Sequence, residues 1–425
     1  MGDAARTATA ASPSFRLGQA PLALLLATAL TTACGERGSP TTPSIAAAGD
    51  SLLASNRIAA LPPAQRSGWT AYLDASAAGA ARDRALVDAE VRAAGLASWI
   101  PAPVGPDFTY AGASASWLAG PDARTQAANL MSFQTPTGGW SKAVDVLTRP
   151  RQPGEGWASQ TAWDWISTFD NGATTEHMRF LGAIAGAQHD SAEIAGFLKG
   201  IGFVLAAQFP NGCWPQVYPL EGSYHDAVTY NDDAMAHVLE LLAAISRGDY
   251  AFVPAATRTR AGDALTSGIG CIVASQVVDR GKRTVWGAQQ DPLTLAPVQG
   301  RAYEPASLCS LESADVMDFL MQIPTPAGDV VAAVHAAAAW LQGNAIYGYV
   351  YQNGVLSARA GAGPLWARFY ELGTGRPLFG DRDGTIHYVL SEISLERQQG
   401  YAWYTTSPAS TLARYTAWAQ THPKP

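Results

Sequence analysis

The sequence predicts an all-α protein, an irregular α/α toroid of helix hairpins whose long loops form a cleft at one end. Three observations carry that expectation. Ala-rich stretches with apolar residues at helical spacing alternate with loops rich in Gly, Trp, Pro and Asp. Strand signals are weak. A short motif also returns at a nearly constant interval. "TPTGGWSK" (135–142) and "FPNGCWPQ" (209–216) each run from a proline, through three residues that include glycine, to a tryptophan. Trp140, Trp214, Trp286 and Trp366 stand 74, 72 and 80 positions apart. A period of about 75 residues suits a helix pair with an elaborated loop. The alternative is an irregular all-α domain in which the Trp spacing is accidental.

The elements follow in order. Residues 1–34 read as an export signal: Arg6 and Arg16 precede "PLALLLATALTTAC", and the apolar run 21–33 is too short to span a bilayer. Cys34 follows Thr-Thr-Ala, a loose lipoprotein cleavage box, so a lipid anchor at Cys34 and plain secretion are both open. Either way the protein is exported: secreted, periplasmic or membrane-anchored. Residues 35–55 form a flexible linker and 56–425 a catalytic domain. Within the domain, helical patterns cover about 55–95, 123–133, 175–186, 191–207, 232–246, 256–276, 307–323, 330–343 and 408–420. The intervening loops, 134–174, 208–231, 280–306 and 344–407, are long, and long loops in a compact domain are usually functional.

Composition narrows the function. Of 425 residues, 48% are hydrophobic and 15% charged, which describes a folded chain with a lean charged surface. The net charge of −7 and the lack of a basic stripe argue against a nucleic-acid partner. Many Trp and Tyr suit sugar stacking or a large core. Cys213, Cys271 and Cys309 cannot all pair within one chain, so their pairing stays open, and their spacing fits no zinc site.

Polar residues gather in the loops. "STFDNGATTEHMRFL" sets Asp170 and Asn171 just before a helix, and "YHDAVTYNDDAMAHVL" does the same with Asp232 and Asp233. Each could be a helix N-cap. Two such sites in the most Trp- and Gly-rich loops point instead to a hard cation such as calcium, which takes carboxylate and amide oxygens. A second group is basic: Lys142, Arg301, Arg368 and Arg382. Guanidinium groups bind carboxylates through paired hydrogen bonds, which suggests a uronic acid substrate. Surface ion pairs with Glu304, Glu371, Asp381 or Asp383 are the plainer explanation.

Five segments together, "TGGWSK", "FDNGATTEHMRFL", "NDDAMAHVL", "GRAYEPAS" and "WARFYELGTGRPLFGDRDG", resemble the family 10 pectate lyases, in order, over about residues 65–420. The resemblance implies a toroid-like fold and calcium-dependent β-elimination on polygalacturonate, giving unsaturated oligogalacturonides. By position it implies Asp170 and Asp232 as metal ligands, with Asn171 and Asp233 beside them, and Arg301 as the catalytic base. It places Arg368 and Arg382 on substrate carboxylates, and Lys142 and Trp140 in the turn lining the cleft. No protein partner is implied and a monomer is expected.

Arginine is an unusual base, because its pKa exceeds about 12. Lys142 is the rival, since lysine shifts its pKa more readily. Two other classes remain. A hydrolase of uronic acid polymers would need a carboxylate pair, for which Glu304 and Asp233 are available. A non-catalytic pectin-binding lipoprotein would keep the aromatic and basic residues alone.

Overall fold

The computed structural model describes residues 51–424, apart from 161, 162, 164 and 165. The export signal and most of the linker therefore lie outside the described residues. Short α1 (Ser55–Ala59) leads into α2 (Pro63–Ala93), which starts at a proline whose missing N–H costs nothing in a first turn. Then follow α3 (Ala115–Leu118), α4 (Pro121–Ser132), α5 (Thr175–Gln188), α6 (Ser191–Ala207), α7 (Ala234–Arg247), α8 (Ala255–Ser275), α9 (Ser310–Met321), α10 (Gly328–Gly343), α11 (Leu395–Gln399) and α12 (Ser407–Trp418).

The pairs α5–α6, α7–α8 and α9–α10 pack as hairpins closed by short connections. Successive hairpins pack side by side as an α/α toroid, and α12 closes against α9 and α10. The inner helix α7 is buried over nine of its residues, from Ala234 to Ile245. The long loops all run from the C-terminus of α4, α6, α8 or α10 to the N-terminus of α5, α7, α9 or α12, so they gather at one end.

The four tryptophans explain the repeat. All are buried, and each indole N–H donates to a carbonyl in the last turn of the preceding helix. Trp140 reaches Leu130 O at 2.9 Å, Trp214 reaches Val204 O at 2.8 Å, Trp286 reaches Ile272 O at 2.7 Å and Trp366 reaches Leu341 O at 2.7 Å. Each ring thus adds a donor at a helix C-terminus, where the regular intrahelical hydrogen bonds run out. A glutamine just past the helix performs a second join. Gln134, Gln208 and Gln276 each donate through Nε2 to a carbonyl of their own turn and to one of the next outer helix, at 2.8–3.0 Å. The turns need glycine. Gly138 has φ 112°, and a Cβ there would lie 2.7 Å from Lys199 O; Gly212 has φ 92°, and a Cβ there would lie 2.4 Å from Ser267 O.

Past each tryptophan the backbone pairs twice. Trp140 O, Trp214 O and Trp286 O accept from Thr168 N, Thr229 N and Cys309 N within their own loops. Two residues further on, Gln216 O, Ala288 O and Arg368 O accept from Phe169 N, Tyr230 N and Ser310 N of the repeat before. The loops are therefore not structureless, as the sequence suggested. They carry short antiparallel strands, including a four-stranded sheet ordered Ile386–His387, Pro377–Gly380, Phe369–Tyr370, Leu308–Cys309. Strands of two to four residues leave no alternating pattern to read. They form because neighbouring repeats bring their loops edge to edge.

Cys213 and Cys271 form a disulfide with a Cα–Cα distance of 5.4 Å, pinning the Trp214 turn to α8. Cys309 is free and buried.

Candidate active site

The site lies where the loops meet the N-termini of the inner helices. "DNG" and "NDD" each make one tight turn there. Asn171 (φ 51°, ψ 36°) and Asp232 (φ 49°, ψ 44°) occupy the same left-handed position, three residues after Thr168 and Thr229. Asn and Asp tolerate that conformation better than other side chains with a Cβ. By this register Asp170 matches Asn231 and Asn171 matches Asp232, so the two repeats carry the same pair in opposite order. Helix α7 consequently starts at Ala234, after Asp232 and Asp233 have both turned left-handed.

A cavity of about 70 Å³ opens between these turns. Lys142, Asp170, Asn171, Asp232 and Arg301 line it, joined by Gln216, Gln289, Asn231, Tyr224 and Glu304. Asp170 is 2% exposed. Its Oδ2 forms an ion pair with Lys142 Nζ, and its Oδ1 accepts from Gln216 Nε2 at 2.7 Å. A carboxylate can only accept, so this contact fixes the Gln216 amide. Gln216 Oε1 then accepts from Gln289 Nε2 at 3.1 Å, which leaves Gln289 Oε1 buried without a partner.

Asp232 accepts from Asn231 Nδ2 at 2.5 Å and lies 3.9 Å from Arg368 Nη2. Burial and the nearby Asp170 push its carboxyl up to about 6, against the opposing pull of Arg368 and Arg301. Two carboxylates sharing a small cavity repel each other, and a cation between them would relieve that repulsion. The donors are all oxygens, which suits calcium rather than zinc. Among the described residues no group of three or more His, Cys, Asp and Glu side chains forms a metal cage. A cation between Asp170 and Asp232 would therefore need further oxygens from a ligand or water to complete its shell.

Arg301 is gripped by Glu304: Nε and Nη2 donate to Oε1 at 2.9 and 2.5 Å, and the Arg301 backbone N–H donates to Oε2 at 2.9 Å. Burial opposes the guanidinium charge, but Glu304 more than offsets it, so Arg301 is held well above its ordinary pKa. Nη1 is the nitrogen left without a partner among the described residues. Glu304 also accepts from Tyr401 Oη at 2.8 Å.

Four sequence candidates do not line the cavity. Trp140 is 0% exposed and serves the helix end described above, so the expectation that it lines the cleft is corrected. Asp233 turns to α9, where burial and its hydrogen bond push Asp315 up to about 9. Arg368 is buried and donates to Glu312 through Nε at 3.0 Å and through Nη2, and to Asn231 Oδ1 at 3.1 Å. It buttresses the Asp232 turn from beneath. Arg382 is exposed, makes two 2.9 Å hydrogen bonds to Glu396 and lies 5.8 Å from the Tyr303 ring, outside the cavity.

Gln216, Gln289, Tyr224 and Asn231 were missed in the sequence. One signal could have found some of them: Lys142, Gln216 and Arg368 each stand two places past a repeat tryptophan, and Ala288 with Gln289 follows the remaining one.

A pectic acid lyase family model matches residues 134–412. The family 10 polysaccharide lyase from Cellvibrio cellulosa is 33% identical, with a TM-score of 0.63 over 76% of this chain and all of that one. An aspartate-to-alanine variant of a family 10 polysaccharide lyase from that organism, solved with trigalacturonic acid, is also 33% identical, with a TM-score of 0.62 over 72% of this chain and 96% of that one. No match was found among curated proteins. The toroid of helix hairpins agrees with these matches, and the chain belongs to the pectic acid lyase family, as a polysaccharide lyase.

Proposed function

We propose that the enzyme cleaves α-1,4-linked polygalacturonate by calcium-dependent β-elimination. One observation carries this reading: Asp170 and Asp232 are brought into a single cavity with Arg301 and Lys142. The trigalacturonic acid bound by the similar lyase supports the substrate class.

Elimination removes the C5 proton and expels the O4 glycosidic oxygen. The C5 proton is weakly acidic because its loss adds charge beside the C6 carboxylate. Calcium held by Asp170 and Asp232, with Asn171 near, would withdraw charge from that carboxylate and acidify C5. Gln216 and Gln289 hold Asp170 in register, and the Arg368–Glu312 pair holds the Asp232 turn. Lys142 neutralises part of the Asp170 charge and contributes a cation for the incoming uronate. Arg301 takes the C5 proton through Nη1. Its grip on Glu304 makes neutral Arg301 scarce, so turnover rises with pH into the alkaline range. Arg382, at the rim, meets a more distant uronate.

The hydrolase alternative fares poorly. Burial alone would raise the Glu304 carboxyl, but Arg301 outweighs it and holds Glu304 low, so it is no proton donor. Asp233 faces Asp315 rather than the cavity. The deciding experiment is ultraviolet absorbance of polygalacturonate digests with calcium and with chelator. Calcium-dependent unsaturated product is expected. Saturated products alone would refute the elimination, and full activity in chelator would refute the metal.

The export signal and the choice between lipidation and secretion rest on residues outside the description. Among the described residues no helix is long and apolar enough to cross a membrane. A monomer remains our expectation.

A further inference from the structure

Elimination needs a proton donor as well as a base. The departing O4 leaves as an alkoxide unless a proton reaches it. Three groups lining the cavity carry acidic protons: Lys142, Arg301 and Tyr224. Lys142 is committed to Asp170, and Arg301 is bound to Glu304 and assigned to C5.

Tyr224 differs from both. It sits on the loop before α7, in a single turn 224–226 set by Ser223 Oγ accepting from His225 N. Its ring packs against His225 at 3.9 Å between centroids. Its hydroxyl makes no hydrogen bond among the described residues, yet the ring lines the same cavity as Arg301 and Asp170. A phenol O–H that no protein acceptor holds is open to an acceptor that a ligand brings into the cavity. Burial also keeps the phenol protonated, while the neighbouring Arg301 charge favours the phenolate once the proton has gone.

We propose that Tyr224 donates the proton to the departing O4 oxygen, an inference that rests on the elimination reading above. The step balances. The C5–H bond breaks and its proton goes to Arg301. The electron pair becomes the C4–C5 double bond, the C4–O4 bond breaks, and O4 takes the Tyr224 proton. Solvent then reprotonates the phenolate and accepts the proton held by Arg301, so no oxidant or co-reactant enters. Arg301 and Tyr224 come from different loops, so acid and base are separate groups lining one cavity.

The test is Tyr224→Phe, which keeps the ring and removes only the hydroxyl. On polygalacturonate with calcium, kcat should fall about 10²–10⁴-fold, the usual worth of a general acid, with KM changed little. A galacturonide bearing p-nitrophenoxy at C4 separates donation from packing, because p-nitrophenolate departs without a proton. On it, Tyr224→Phe should stay close to wild type, while Arg301→Ala loses activity on both substrates. Wild-type kcat for Tyr224→Phe on polygalacturonate would overturn the assignment, and so would equal losses on the two substrates. If wild-type enzyme yields only saturated products, the elimination reading itself falls, and the role of Tyr224 falls with it.

Discussion

Gln216 donates through Nε2 to Asp170 Oδ1 at 2.7 Å, so the residue two places past the second repeat tryptophan holds a carboxylate supplied by the repeat before. The site is therefore built across repeats. Each tryptophan locks its own turn to its own helix, and beyond Trp214 and Trp366 the side chain two places on reaches the repeat before, Gln216 to Asp170 and Arg368 to Asn231.

The paired aspartates make metal-free stability depend on pH. The Asp232 carboxyl is raised to about 6 in the folded protein, above the value of about 3.9 expected when unfolded. Its charged form is disfavoured by folding, so its contribution to stability falls as pH rises from about 4 through 6 and stays low above. A cation would remove this penalty. Thermal denaturation should show calcium raising Tm more at pH 8 than at pH 5. Asp232→Asn should unfold no earlier than wild type at pH 8 without calcium, yet lose calcium-dependent activity. An equal calcium shift at both pH values would count against a cation between Asp170 and Asp232.

The base assignment separates through two variants. Arg301→Ala should lower kcat about 10²–10⁴-fold with a smaller change in KM, and Arg301→Lys should restore little. Lys142→Ala should mainly raise KM. Steady-state kinetics with circular dichroism as a folding control decides the matter. Abolished turnover in Lys142→Ala with near-normal Arg301→Ala would transfer the role to Lys142.

Arg368 and Arg382 should part company. Arg368 is 5% exposed and paired with a buried Glu312, so Arg368→Ala leaves an uncompensated charge and should cost about 3–5 kcal/mol in a urea melt. Arg382→Ala, at the exposed rim, should leave the melt unchanged and raise KM for long substrates. Unchanged stability in Arg368→Ala would return that residue to the substrate.

Trp140→Phe should act through stability. It removes the indole donor and leaves Leu130 O with the Phe133 N–H alone, so it should cost about 0.5–1.5 kcal/mol, the net worth of one hydrogen bond. KM should stay near wild type at temperatures where the variant is folded. A large rise in KM without a loss of stability would restore the sugar-stacking role.

Reduction of Cys213–Cys271 should also loosen the fold. The bridge closes a loop with a sequence separation of 58, for which chain entropy gives about 4 kcal/mol. Because Gln216 stands three residues past Cys213, the Cys213→Ser/Cys271→Ser double variant should need more calcium for half-maximal activity. Titration of calcium against initial rate reads this directly.

The sequence by itself determined the period, the helices and most of the polar residues that meet. Helical spacing is local, so α4 to α10 and α12 were legible within a few residues. The five motifs were enough to indicate the family. Tertiary structure alone decided what each side chain faces. Trp140 and Trp214 read equally well as cleft or core, since an aromatic ring suits both, and only the position of Leu130 O and Val204 O in the last turns of α4 and α6 placed them inside. The family resemblance puts Arg368 on a substrate carboxylate, and Glu371 is the nearest acidic residue in sequence; its actual partner Glu312 lies 56 residues away and is brought to it by the pairing of Ser310 with Arg368 across repeats. Gln216 and Gln289 carry only the signal of their place after a repeat tryptophan, and Tyr224 carries none. A neutral side chain becomes part of a site only when separate loops are packed edge to edge, and that packing is a property of hairpins stacked side by side.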